Sequence, residues 1–179
     1  IPGDVLRGYQ LLKDYLLELA PCLHNPVVVT ADLGFAKKGR TYADLLHTGL
    51  AFIEKKRTTD MKNPLSMTIV GDVKDRDVIL VDDEICTGGS MVHAVEILKS
   101  YEARNIYMVF VHPVFSKDAA ERLAQLPVKR FITTNTVPIP PQDRALFGNR
   151  LVVLSVGPML GEVIRRANEG TSVGAMFNE

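Results

Sequence analysis

Two cysteines, Cys22 and Cys86, are all the sequence offers for cross-linking. That excludes a disulfide-framed scaffold and predicts a reduced, cytoplasmic setting. Charge of one sign is missing too, since 21 lysines and arginines balance 21 aspartates and glutamates. No bulk field draws such a chain to nucleic acid or to an anionic membrane, and neither is expected as a partner. No apolar run approaches the ~20 residues of a membrane span. Neither a signal peptide, a low-complexity tail nor a repeat is visible. Two nucleotide-binding loops are absent: G-x-x-x-x-G-K, which excludes a Walker-type site, and G-x-G-x-x-G, which excludes a dinucleotide fingerprint. His24, His47 and His93 lack the spacing of metal ligands.

What the chain does have is one informative stretch, Asp77-Val-Ile-Leu-Val-Asp-Asp-Glu-Ile-Cys-Thr-Gly-Gly-Ser90. Val78 to Val81 suit a strand buried on both faces. Asp82 and Asp83 stand where that strand should end. Thr87, Gly88, Gly89 and Ser90 then lead into Met91, Ala94, Val95 and Leu98, which recur at helical spacing. The order strand, acidic pair, glycine turn, helix puts free N–H groups and hydroxyls at a helix N-terminus, a good seat for a phosphate. The carboxylates would repel that phosphate. They suit sugar hydroxyls, or a divalent cation shared with a polyphosphate.

The remainder reads as alternating strands and helices. A helix is expected over 5–19, ended by Pro21, and strands at Val27–Thr30, Leu50–Ile53, Ser66–Val70, Val78–Val81, Ile106–Val111, Phe131–Thr134 and Leu151–Leu154. Further helices are expected from Thr41, over Asp118–Leu126 and over Pro158–Ala167, with Pro138–Pro141 as a break. Thr58–Pro64 reads as a polar, mobile loop. This is the pattern of a parallel α/β sheet flanked by helices, in one domain spanning all 179 residues. Asp32-Leu-Gly-Phe-Ala-Lys-Lys38 repeats the strand, acid, glycine order, so two acidic strand ends could meet at the carboxyl edge of the sheet.

The central stretch resembles the phosphoribosyl-pyrophosphate (PRPP) motif of the type I phosphoribosyltransferase fold. Across nearly the whole chain the resemblance narrows to the C-terminal half of the ribose-phosphate pyrophosphokinases (PRPP synthetases). It is carried by Asp32–Lys38, Val70-Gly-Asp-Val-Lys-Asp-Arg76, Val81–Asp83 with Thr87–Ser90, Thr133-Thr-Asn-Thr136, Ile164-Arg-Arg166 and Glu169–Val173. Of these Gly71–Arg76 is the most telling, because a transferase of the same fold has no reason to carry it.

The resemblance implies transfer of diphosphate from ATP to the 1-hydroxyl of ribose 5-phosphate, with Mg2+ as cofactor and a homo-oligomeric state. It places Asp82 and Asp83 on the ribose hydroxyls or on metal, and Thr87, Gly88, Gly89 and Ser90 on the 5-phosphate. Asp32 matches a metal-associated aspartate, and Lys55 and Arg57 match a catalytic Lys-x-Arg pair. Cys86 departs from an acidic residue of the family motif. A thiol at a helix N-terminus is expected to be partly ionised, yet it accepts poorly from a sugar hydroxyl. Gly34-Phe35, after Leu33, replaces a Gly-Gly pair, and His112-Pro113 replaces His-Gly. The chain opens at Ile1 and reads as part of something longer, without the ATP-binding half. A regulatory homologue that keeps the fold without the activity is the alternative. A PRPP-consuming transferase is a further one, although no hood over a base is visible.

Overall fold

Short apolar runs with a two-residue alternation set the architecture. The computed structural model describes residues 6–57 and 65–176, including all their side chains except those of residues 55–57 and 65–66. The strands are β1 (Val27–Thr30), β2 (Gly49–Arg57), β3 (Leu65–Val70), β4 (Val78–Glu84), β5 (Ile106–His112), β6 (Arg130–Thr134) and β7 (Leu151–Leu154). The helices are α1 (Tyr9–Leu19), α2 (Ala36–Leu45), α3 (Gly89–Ser100), α4 (Ala119–Ala124), α5 (Pro141–Phe147) and α6 (Gly157–Glu169). They flank one sheet of order β3-β2-β1-β4-β5-β6-β7.

Every strand pair is parallel except β2–β3 at one edge, where Phe52 faces Val70 and Arg57 faces Leu65 in antiparallel register. The sheet is thus the expected parallel α/β sheet flanked by helices, with one antiparallel pair at its edge. β2 also continues past Ile53 through Glu54-Lys-Lys-Arg57, because its antiparallel partner extends the ladder where the apolar run stops. Two further differences matter for the site. The helix expected from Thr41 begins at Ala36, so Lys37 and Lys38 lie in its first turn. Pro141 opens α5 instead of merely breaking the chain, since proline at the first helical position lacks only an N–H that would be unpaired anyway.

Along β4, Val78 and Leu80 pack into one core with Leu98 of α3, Leu123 of α4 and Phe147 of α5. Ile79 and Val81 pack into the other with Leu12 and Leu16 of α1 and Tyr42 and Ala43 of α2. All four β4 residues have no exposed surface. Burying side chains of this size is worth roughly 1.5–3 kcal/mol each. The central strand is therefore fixed from both sides.

The segment before β4 closes the amino edge of the sheet. Gly71 has φ +117°, and a Cβ there would lie 2.6 Å from that of Ala51, so only glycine fits. Arg76 donates from Nε to the Asn25 carbonyl at 2.9 Å and from Nη2 to that of Pro26 at 2.7 Å, tethering the entry to β1. Asp77 is buried. Its carboxylate accepts from the His24 N–H at 2.9 Å and from the Asn105 amide at 2.8 Å, with Arg104 Nε 3.9 Å away.

Removing that buried acceptor strands two donors. Asp77→Ala should cost about 2–4 kcal/mol of folding stability in a denaturant titration. Asp77→Asn, which still accepts through one oxygen, should lose clearly less; equal losses would mean the carboxylate is not what the two donors need.

Candidate functional site

Because β4 runs to Glu84, its acidic residues lie within the strand and not just beyond it. Alternation then sends them to opposite faces. Asp83 turns to the α2 side, where Lys38 Nζ donates to it at 2.9 Å. Asp82 turns to the α3 side and lines a cavity of about 190 Å³ together with Glu84, Cys86 and the Thr87–Ser90 loop. The sequence pairs two carboxylates; the pleat gives them different neighbours.

The loop has the conformation its glycines allow. Gly88 adopts φ +72° as the residue capping α3, and a Cβ there would meet Leu123 Cγ at 3.3 Å. At Gly89 a Cβ would find only Thr87 Oγ1, at 3.9 Å. A side chain at 89 is therefore tolerated by the protein and would extend into the cavity. No side chain caps the first turn of α3, so its N–H groups stay available to an anion. The connection after β5 supports the loop from behind: Phe115 N–H donates to the Ile85 carbonyl at 3.0 Å and Ser116 N–H to that of Cys86 at 2.9 Å.

The two aspartates titrate in opposite directions. Burial, reinforced by the charges of Asp83 and Asp32, pushes Asp82 up to about 7, although the Asp83 N–H hydrogen bond opposes this. Asp83 also feels burial, but the Lys38 hydrogen bond and charge outweigh it and hold the carboxyl below its usual range. The Lys38–Asp83 pair is 63% and 48% exposed, and a pair in that setting is worth no more than ~1 kcal/mol. It can open for an incoming ligand at little cost. Lys38 also sits 4.9 Å over the Phe35 ring.

Other expected site residues fare differently. Asp32 is exposed, and its Oδ1 accepts from the Phe35 N–H at 3.0 Å; it shapes its own turn while its charge reaches Asp82. Among the described residues no group of three or more His, Cys, Asp or Glu is gathered for a metal ion, so Asp32, Asp82 and Asp83 form no ready-made cage. Packing around Cys86 and the adjacent Glu84 charge push its thiol up, with Sγ 3.6 Å from Glu84 Oε1. This is opposite in direction to the expected partial ionisation: burial first, and then the carboxylate, favours the neutral thiol. Lys55 and Arg57 stand at the end of β2, opposite Met67 and Leu65, and the loop Thr58–Pro64 lies outside the described residues. Sequence reasoning missed Glu84 and Lys38. Glu84 follows from the two-residue period starting at Asp82, and Lys38 from an earlier start to α2.

Carboxyl-edge acids beside a glycine-cornered helix start, on a mostly parallel sheet, define a phosphoribosyltransferase-like α/β domain. An orotate phosphoribosyltransferase from Aeropyrum pernix shares the fold at TM-score 0.52 and 21% identity, over 87% of this chain and 75% of that one. The chain belongs to the family described as phosphoribosyl synthetase-associated domain, which matches residues 55–178, and is related to PRPP synthetases over their C-terminal half. It is 40% identical to a ribose-phosphate pyrophosphokinase of Nostoc across 99% of its own length and 52% of that protein's. A crystal structure of phosphoribosylpyrophosphate synthetase from Mycobacterium smegmatis superposes at TM-score 0.83 with 37% identity, over 93% of this chain and 52% of that one. The chain thus spans about half the length of the relatives it matches.

The raised Asp82 group has a consequence for stability. Between pH ~4 and ~7 the folded state keeps a proton that the unfolded chain has released, so stability falls as pH rises through that window. Asp83, shifted down, acts the other way and only below pH ~4. Asp82→Asn should therefore be more stable than wild type above pH 7, by ~1–2 kcal/mol after allowance for solvent screening. The difference should fade toward pH 4. Thermal melts of both proteins at pH 4.5, 6 and 8 test this, and a pH-independent difference would refute it.

Proposed function

We propose that the full-length protein is a ribose-phosphate diphosphokinase and that this chain supplies its sugar-phosphate half. The observation that carries the reading is the Thr87–Ser90 helix start sharing one cavity with Asp82, in a chain related to PRPP synthetases over 99% of its length. ATP and ribose 5-phosphate as substrates, a homo-oligomeric state and a cytoplasmic location belong to the same proposal.

In this reading the amides of the loop and the hydroxyls of Thr87 and Ser90 take the 5-phosphate. Asp82 and Asp83 accept from the ribose hydroxyls or hold a cation, with Asp32 adding charge nearby. Their oxygens fit Mg2+, which commonly takes one or two carboxylates together with substrate phosphates. Bound there with ATP, Mg2+ would screen the polyphosphate charge. The sugar's 1-hydroxyl oxygen attacks the β-phosphorus, the bond to the α-phosphate's bridging oxygen breaks, and AMP leaves while the hydroxyl proton is lost. Little covalent help is required, so the protein's part is positioning and charge. Lys55 and Arg57 would stabilise the charge that builds on the transferred group.

One observation favours a second reading. Cys86 is held as a thiol beside Glu84, which suits a regulatory homologue that binds the sugar phosphate without turning it over.

Two measurements separate these possibilities. Ribose 5-phosphate should bind the chain in titration calorimetry, and Gly89→Val, which meets no protein atom closer than ordinary contact at its Cβ, should abolish binding while leaving the melting temperature nearly unchanged. Unaltered affinity in that variant removes the phosphate assignment. In the full-length protein, Arg57→Ala should lower kcat for AMP release by roughly 10²–10³, with ribose 5-phosphate affinity within a few-fold of wild type. Wild type that releases no AMP with Mg2+ present favours the regulatory reading, and Cys86→Asp is then the variant expected to restore turnover.

A further inference from the structure

We infer that Arg122, a residue of α4 that touches no substrate position, is a positioning residue that holds the phosphate loop in its anion-binding orientation. The inference rests on the phosphate assignment made above. An anion seat built from backbone demands that successive N–H groups face the ligand, and the carbonyls between them must then face away. A carbonyl turned away into a protein needs a donor of its own. Were it to swing back, its partial negative charge would oppose the phosphate.

At Thr87, the residue before the glycine corner, Arg122 supplies that donor: its Nη2 hydrogen-bonds the Thr87 carbonyl oxygen. Thr87 is exposed, whereas Gly88, at φ +72°, is buried against Leu123, so packing holds the glycine side of the corner and the Arg122 bond holds the Thr87 carbonyl. A charged donor is the strong form of such a bond.

Arg122 is itself held in place. Its Nε lies 3.2 Å from Oδ2 of Asp118, the residue just before α4. That contact is an ion pair without hydrogen-bond alignment, since Nε is buried and has no hydrogen-bond partner. The neighbouring Leu123 packs where a Gly88 Cβ would lie, 3.3 Å from its Cγ. Two successive residues of α4 thus address two successive residues of the loop, one through a carbonyl and one through the missing side chain. The guanidinium brings its positive charge to the back of the loop, a sign that favours an anion at the front.

The experiment compares wild type, Arg122→Met, Arg122→Gln and Arg122→Lys for binding of ribose 5-phosphate and of inorganic phosphate by calorimetry, with melting temperatures taken without ligand. Arg122→Met should weaken both ligands by about 10-fold or more, at a ligand-free melting temperature within a few degrees of wild type. Arg122→Lys, which keeps charge and donor, should recover most of the affinity. Arg122→Gln, which keeps a donor alone, should fall between them. If Arg122→Met fails to fold, the lysine and glutamine variants carry the comparison, and their order must hold. Wild-type affinity in Arg122→Met, or in Arg122→Gln together with Arg122→Lys when the methionine variant is unfolded, overturns the role and leaves the phosphate site standing. Absence of phosphate binding in wild type overturns the site, and this role falls with it.

Discussion

The structure depends on β4 being buried on both faces and then running on beyond what buries it. Val78 to Val81 are held between α3, α4 and α5 on one side and α1 and α2 on the other, so neither rotation nor a one-residue slip is open to the strand. The next three residues inherit that orientation. Asp82, Asp83 and Glu84 cannot choose their faces; the hydrophobic residues before them have already done so. Of the adjacent carboxylates one thereby meets a lysine and the other shares a cavity with the Thr87–Ser90 loop. Packing, at several kcal/mol across those residues, decides a geometry that the electrostatics alone would not produce.

Different burial, the Lys38 contact of Asp83 and the hydrogen bond between the two carboxyl groups leave two identical side chains with different proton affinities. Asp83 has a cation within hydrogen-bond distance and remains ionised through the whole neutral range. Asp82 has no cation partner among the described residues, loses water, and feels the charges of Asp83 and Asp32. Near neutrality it therefore stands between a donor and an acceptor. Such a group accepts from a sugar hydroxyl once deprotonated and gains most from any cation brought in beside a polyphosphate. Raised affinity for a proton is here the mark of a place left unfilled by the protein.

Much of this was legible in the sequence, and what was not has physical reasons. β1 and β7 ran over the expected residues because short, fully apolar runs bounded by polar ones leave little choice of limits. β2 and β4 were read too short for a shared cause: each continues into charged residues supported by a neighbouring strand, and ladder pairing is invisible to local hydropathy. The early start of α2 was hidden because Ala36, Lys37 and Lys38 carry no apolar period, and with it went the Lys38–Asp83 contact, 45 positions apart in the chain. The Cys86 thiol was misjudged for a similar reason. A helix end argues for ionisation, but burial and then the Glu84 carboxylate oppose it, and which way that carboxylate faces depends on the pleat of β4.

The segment that best distinguishes this chain from simple transferases, Gly71–Arg76, lies at the opposite end of β4 from the cavity. Its work is structural: Gly71 gives way to Ala51, Arg76 ties down the entry to β1, and Asp77 next to it satisfies two donors. At the carboxyl edge the sheet instead presents Asp82, Asp83 and Glu84. Those residues are polar, partly exposed and mutually repulsive, so they add little to stability and some of them subtract from it. At the amino edge glycine, guanidinium and a buried carboxylate tie the strands together, beside a cavity of about 270 Å³ lined in part by Gly71, Asp72 and Lys74. Tethers at one end of a doubly buried strand help to fix the register at the other. A motif at the far end of the strand can therefore matter as much to the placement of its acidic residues as the stretch that carries them.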